Sequence, residues 1–229
     1  MRTRSKVLIG VGAAVVVVAT VAAIAGPAFY RDVIVGEPEA APTVSVTPGS
    51  SDLAGSDLTG AWTIGSGSTA GYRVKEVLRG TDVTVVGKTS DVSGTVTFDS
   101  DSITRAQITV EAGTIATDSG SRDEYFRTSA LETDIHPDAT FALTTPVDTG
   151  DLSSGEVATF TATGALTLHG VTKTVSVPME AALSGSGAEV SGSVPITFSD
   201  YDVTAPSLGF VTVEKTGSVE FLLKAAPAS

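Results

Sequence analysis

The sequence predicts an all-β domain with one short helix, folded as a roughly eight-stranded antiparallel barrel and preceded by an N-terminal transmembrane or signal helix. Three observations carry this. From Asp57 onward apolar residues recur at every second position in run after run, the period of a strand with one face buried. Eight or nine such runs, joined by short Gly/Asp/Ser turns, follow one another to the end of the chain, and an open sheet of that size would curl, split or expose its edges, which closure removes. A single helical stretch, D-S-G-S-R-D-E-Y-F-R-T-S-A-L from Asp118 to Leu131, interrupts the strands. It has a place in a barrel, covering one end or bridging a gap, and none in the competing two-sheet sandwich.

In chain order, Arg2, Arg4 and Lys6 precede 24 uncharged residues, Val7 to Tyr30. The apolar core of a secretory signal is about 7–15 residues and a bilayer span needs about 20. Residues 1–30 therefore read as an uncleaved signal anchor, with cleavage near Ala23-Ile24-Ala25 as the alternative. Either way the basic flank stays in the cytoplasm and the rest is exported. The expectation is a single-pass protein of the cell membrane with its barrel outside, or a secreted one. Residues 31–56, rich in Pro, Ser, Gly and acids without apolar period, read as a disordered linker, and 57–226 as the folded domain.

Trp62-Thr63-Ile64 and Tyr72-Arg73-Val74 open the strands; Val83 with Val85, Val96 with Phe98, and Ile108 with Val110 continue them. In the helix, Ser121 and Glu124 have capping-box spacing, and Tyr125, Phe126 and Leu131 form an apolar face. Phe141 and Leu143 resume the alternation. Then come Ala158 to Leu168, Val171 to Leu183, Val190 to Phe198, and Val219 to Leu223. His169-Gly170 falls between two of these runs, at the centre of a tight hairpin that needs positive φ.

Several chemistries are excluded. The net charge is −12, and without the basic flank 11 Lys/Arg face 26 Asp/Glu, a surface that repels nucleic acid. With no cysteine there is no disulfide, thiolate metal site or cysteine nucleophile. His136, expected at the surface, and His169 are 33 residues apart and make a poor zinc pair. The serines lack a G-x-S-x-G setting. Asp99/Asp101 and Asp200/Asp202 read as turn residues rather than calcium ligands. No enzyme activity, metal or cofactor is expected.

The inward face supplies the candidate ligand-binding wall: Val96, Phe98, Ile108, Val110, Phe141, Leu143, Phe160, Leu166, Leu168, Val175, Val177, Met179, Ile196, Phe198 and Phe221. Eight strands leave an interior that such side chains either fill or hold open around one slender ligand. An apolar lumen suits a long acyl or isoprenoid chain, not a sugar or nucleotide. Arg122 and Asp123 begin the helix. On one reading they cap it and form a surface ion pair; on the other, Arg122 meets a polar head group at the barrel mouth, where its planar fork suits phosphate.

From Leu58 to Ala225 the chain carries, in order, G-T-V-T-F-D, I-T-V-E-A-G-T-I-A-T-D, Arg122-Asp123 with Y-F-R-T-S-A-L, H-P-D-A-T-F (Pro137, Phe141) and G-A-L-T-L-H-G-V-T-K (Gly164 to Lys173). This resembles the YceI-like domain. The resemblance implies a lipocalin-like barrel holding a polyisoprenoid, an isoprenoid quinone or a fatty acyl lipid, for sequestration, sensing or transport. Two stretches depart from the family pattern: Ser68-Thr69-Ala70-Gly71-Tyr72, where a His-Ser pair is usual, and Leu131-Glu132-Thr133-Asp134, where an aromatic pair is usual. The expected partners are a lipid ligand and the membrane, with no nucleic acid. The alternative is a cell-surface structural or interaction β-domain with a filled core and no ligand.

Overall fold

The computed structural model describes residues 38–45, 58–78, 80–150, 152, 156–207, 209 and 211–228. The expected membrane or signal helix at 1–30 and most of the expected linker lie outside the described residues. Among the described residues no helix is long and apolar enough to cross a membrane.

Eleven strand segments follow one another: β1 (Gly60–Ile64), β2 (Thr69–Leu78), β3 (Thr81–Thr89), β4 (Val92–Asp99), β5 (Ser102–Glu111), β6 (Asp138–Leu143), β7 (Val147–Asp148), β8 (Ala158–Leu168), β9 (Val171–Ser184), β10 (Gly187–Thr197) and β11 (Val211–Pro227). They make eight barrel strands because three are broken. The 17-residue β11 pairs with β1 through Ala225–Pro227 and with β2 through Val211–Leu222, so β1 and β2 are two halves of one strand. On their other side β3 runs on into β4 in the same way, and β6 into β7. The ladder passes from β1/β2 through β3/β4, β5, β6/β7, β8, β9 and β10 to β11, which returns to β1. All pairings are antiparallel. This is the expected eight-stranded antiparallel barrel with one short helix, and closure uses up the hydrogen-bonding edges an open sheet would expose.

The break between β1 and β2 is stitched rather than loose. Ser68, fully buried, donates its hydroxyl to the Gly65 carbonyl at 2.8 Å and accepts the Lys224 amide at 2.9 Å. The residue standing where the family's first-strand pair is usual therefore holds backbone together.

Toward one end the closure is incomplete. Among the described residues, β3 beyond its ladder with β2 has only an isolated bridge, Lys88 to Ala116. Across that gap runs the connection from β5 to β6, bearing helix α1 (Gly120–Tyr125) and a wide π turn, Phe126–Ala130. The helix bridges a gap, as expected, but without the expected capping box. Ser119 is the N-cap and no side chain caps it; Ser121 lies inside the helix, and Glu124 pairs with Arg127 at 3.1 Å. The carboxylate that fixes the start is the buried Asp123, which accepts from the Thr117 amide (2.9 Å) and hydroxyl (2.7 Å).

At the same end His169 and Gly170 form the β8–β9 hairpin with φ of 49° and 74°, the positive values the sequence calls for. The expected strand through Phe198 stops earlier. β10 ends at Thr197, and Phe198–Tyr201 is a 3-10 turn closed by Asp202 at φ 56°, because Ser-Asp-Tyr-Asp favours a turn over a ladder.

The opposite end is sealed. Leu58, Trp62 and Leu152 are each about 1% exposed, the Trp62 indole donates to the Leu58 carbonyl at 3.0 Å, and its ring meets Phe98 edge-on at 5.5 Å. On the outer wall, Arg73 grips Glu220 at 2.8 and 3.1 Å and donates to the Glu39 carbonyl at 2.7 Å, while the Glu39 carboxylate pairs with Lys88. One stretch of the expected linker, around Glu39, thus touches the barrel.

Gly164 on β8 is a packing requirement: a Cβ there would lie 2.2 Å from Cζ of Phe141 and 2.7 Å from the Ala142 carbonyl. Gly164→Ala is expected to lose about 1–3 kcal/mol of stability through overpacking, read as a lower urea midpoint at unchanged slope.

Candidate functional site: an apolar lumen with a charged rim

The inward faces of the strands do not meet. They enclose a lumen whose internal volume is about 100 Å³. The lumen is therefore narrow. Among the described residues around it only Thr140 is polar, and the pleat that sets Ala139 and Phe141 inward turns its hydroxyl away.

Ten of the expected wall residues line this space. Val96, Phe98, Ile108, Val110 and Phe141 come from β4 to β6, and Leu166, Leu168, Val177, Met179 and Phe221 from β8, β9 and β11. The other five are absent from the lining. Leu143 and Phe160 face inward but pack deeper, against the floor cluster around Trp62 and Leu58. Val175 and Ile196 pack around the Leu166–Val177–Tyr201 cluster, and Phe198, carried off by its turn, packs beside Val74, Val83 and Val85. Alternation fixes which face a side chain takes but not its depth. Missed residues include Ala70, Ala106, Ala139, Ala188 and Ala225, which also line the lumen. Their signal was present: small residues at inward positions are what leave room.

Above the apolar wall lies a charged rim, built by β2 and α1. Ala70, Tyr72, Val74 and Glu76 alternate along one face of β2, so the pleat that sets Ala70 in the lumen turns Glu76 inward too. The Glu76 side chain is 7% exposed and accepts from Nη2 of Arg122 at 3.1 Å; Nη1 of the same guanidinium meets Asp118 at 2.6 Å. Arg122 and Asp123 are thus neither a plain surface pair nor a free phosphate fork: both arms of Arg122 are engaged by carboxylates, and Asp123 holds Thr117. Burial works against the Arg122 charge, but Glu76 and Asp118 outweigh it and hold the proton above the ordinary range. Tyr72 stacks on Phe126, with ring centroids 5.0 Å apart and planes 15° apart. Burial, opposed by Arg122 and reinforced by the nearby carboxylates, pushes its phenol up to about 12.

The rim continues around the hairpin. His169 reaches the Tyr201 carbonyl with Nδ1 (3.1 Å) and Glu132 with Nε2 (3.0 Å). His136 is not the surface residue expected. It is half-buried, its ring 4.9 Å from that of His169 and over Gly170, because the chain turns back at Glu132 before β6. Among the described residues no cluster of three or more His, Asp or Glu side chains could hold a metal ion.

With this geometry in hand, residues 62–225 match the YceI-like domain. The chain belongs to the YceI-like family. Similar sequences include UPF0312 proteins of Shewanella sp. strains ANA-3 and MR-7, each 30% identical over 128 residues, or 52% of this chain. The match spans 64% of those relatives' length. Among solved structures, the barrel is similar to a polyisoprenoid-binding domain from Saccharophagus degradans (TM-score 0.58, 18% identity, 74% of this chain and 100% of that one). It is also similar to BcnA of Burkholderia cenocepacia (TM-score 0.54, 22% identity, 68% and 96%). At these identities the likeness is one of fold.

Two tests follow from the YceI-like rim. Arg122→Met strands the buried Glu76 carboxylate and is expected to lose roughly 1.5–3 kcal/mol in urea denaturation, part of which Glu76→Gln restores in the double variant. For Tyr72 the folded state holds the proton more tightly than the unfolded chain. Its contribution is therefore fully present below about pH 10 and lost as pH rises toward about 12. Ultraviolet titration should show one phenol ionising late, and Tyr72→Phe should remove both that step and its share of the alkaline destabilisation.

Proposed function

We propose that this YceI-like barrel binds one long-chain amphiphilic lipid, an isoprenoid or acyl chain, outside the cytoplasm. The observation that carries the reading is the lumen: a narrow space, walled by hydrocarbon, that the inward side chains leave unfilled. Such a wall gains from burying methylenes, at about 0.8 kcal/mol each, and offers a sugar or nucleotide nothing to pair with. The polyisoprenoid-binding domain of similar fold supports an isoprenoid cargo, and the emptiness supports a ligand over a filled structural core.

The rim bears on the head group. Glu76, Asp118 and Asp123 outnumber Arg122, whose fork the first two occupy while Asp123 holds Thr117. A phosphate would have to displace a carboxylate from that fork, whereas a quinone, alcohol or other uncharged head would not. The reading is therefore a neutral-headed lipid. The basic flank and apolar run at the N-terminus support export and tethering to the membrane, which suits sequestration or sensing beside the bilayer.

Native mass spectrometry of the protein purified in mild detergent from its own host, followed by organic extraction, tests this. A discrete added mass that extracts as a neutral isoprenoid or acyl lipid is the expected result. A bare mass, with no uptake of quinone, polyprenol or fatty acid offered in excess, would end the reading. Ala106→Phe, which fills lumen space without burying charge, should fold and lose the added mass.

A further inference from the structure

His169 has two partners, and both are oxygens that only accept. The Tyr201 backbone carbonyl lies 3.1 Å from Nδ1 and the Glu132 carboxylate 3.0 Å from Nε2. A neutral imidazole carries one N–H, so it can satisfy one of these oxygens and must turn a lone pair toward the other. Donating to both oxygens at once takes two N–H groups, that is, a positively charged ring.

The position of that ring gives the charge a consequence. It joins three elements at the open end of the barrel: the β8–β9 hairpin, whose Leu168 lines the lumen, the turn after β10 through Tyr201, and the segment from α1 to β6 through Glu132. That segment is pinned at its start by the Leu131 and Thr133 amides, bonded to the Phe126 (3.0 Å) and Arg127 (2.8 Å) carbonyls, and turns sharply at Glu132. Glu132 has φ 47°, an uncommon conformation for a residue with a side chain, and its own carbonyl accepts the amides of Ile135 (2.8 Å) and His136 (2.9 Å). Just upstream sits the π turn, Phe126–Ala130, a weaker coil than an α-helix. Ile135, in the same segment, is 68% exposed.

We propose that His169 is a pH-operated latch on the mouth of the lipid-binding lumen. Doubly protonated, it ties the Glu132 segment and the Tyr201 turn to the hairpin and holds the end of the barrel shut. Deprotonated, it drops one of the two ties, and the segment swings out from its turn at Glu132. Closure therefore follows the charge on the ring, gained where the ring carries two protons and lost where it carries one. The ionisable groups on the elements packed around the ring are Glu132, Asp134 and His136 on the segment, Asp138 at the start of β6, Lys173 on β9, and Asp200, Tyr201 and Asp202 on the turn. The set is acidic on balance and accommodates one positive ring. His136, edge-on at 4.9 Å, opposes a second charge beside the first. The latch thus holds best with one of the two rings charged.

This inference rests on the lipid-binding reading, and its test separates the two. Nitrogen-15 spectra of the full chain in detergent report the protons on the His169 ring, and retinol, a fluorescent isoprenoid alcohol with no titrating group, reports release from the lumen. At about pH 5.5 both ring nitrogens should carry protons and retinol should leave several-fold more slowly than at about pH 8. Glu132→Gln, and His169→Asn, which tolerates the positive φ, should each flatten that difference. Equal release rates at the two pH values in the unaltered protein, or a difference that survives in both variants, would overturn the latch. If retinol is not taken up at all, lipid binding fails for this probe and the latch is decided by the ring and the Glu132 turn. Two protons at low pH, with the Thr133, Ile135 and His136 amides more slowly exchanging after correction for the chemical rate, sustain it. A neutral ring at pH 5.5, with exchange unchanged, ends it.

Discussion

The ladder of β11 is the constraint on which the rest of the structure depends. This 17-residue strand pairs with β10 along one side and with β1 and β2 in succession along the other, so it both closes the ring and spans it from floor to rim. Because β11 is continuous, the strand beside it can break and bend without opening the wall, provided the break is bridged. Ser68 bridges it with two hydrogen bonds. One hydroxyl thus lets β1 tuck Trp62 into the floor while β2 carries Tyr72 and Glu76 up to the rim.

Floor and rim are consequently of different chemical kinds. The floor is closed by hydrocarbon and an indole whose one polar atom is satisfied within the plug. The rim is closed by charge. Carboxylates surround a guanidinium and an imidazole, and each tie crosses between elements that no strand pairing joins: β2 to α1, and the β8–β9 hairpin to the segment before β6. Apolar packing is insensitive to small rearrangements of solvent or protons, whereas these ties depend on both. The permanent seal and the adjustable one are therefore separated by the full depth of the lumen.

Much of this was legible in the sequence because period-two alternation is a local signal that closure does not disturb. The strands, the His169-Gly170 turn, and the faces of Phe98, Phe141 and Phe221 all followed from it. Depth did not. Phe160 and Phe141 have the same pattern, yet one lies at the floor and the other beside the cavity, since depth depends on the stagger of neighbouring strands. The start of the helix was misread because Ser121 and Glu124 satisfy a spacing rule that Asp123, bonded back to Thr117, pre-empts. The stitch at Ser68 was beyond reach, since its partner Lys224 lies 156 residues away. Glu76 was within reach: an acid on the inward parity of an apolar strand is a departure from pattern, and such departures tend to fall at sites rather than in cores.

The plug of Leu58, Trp62 and Leu152 makes the lumen a tube blind at one end. Walls of methyl groups and rings cannot distinguish one isoprene unit or methylene from the next, so in the proposed role a chain is sorted by when its tip reaches the floor, where Phe98 backs onto Trp62. Too short a chain leaves void beneath it, and too long a chain holds its head above the rim. With the proposed cargo such a tube is a gauge of length, with its zero mark at the floor by Phe98 and its reading taken at the charged rim.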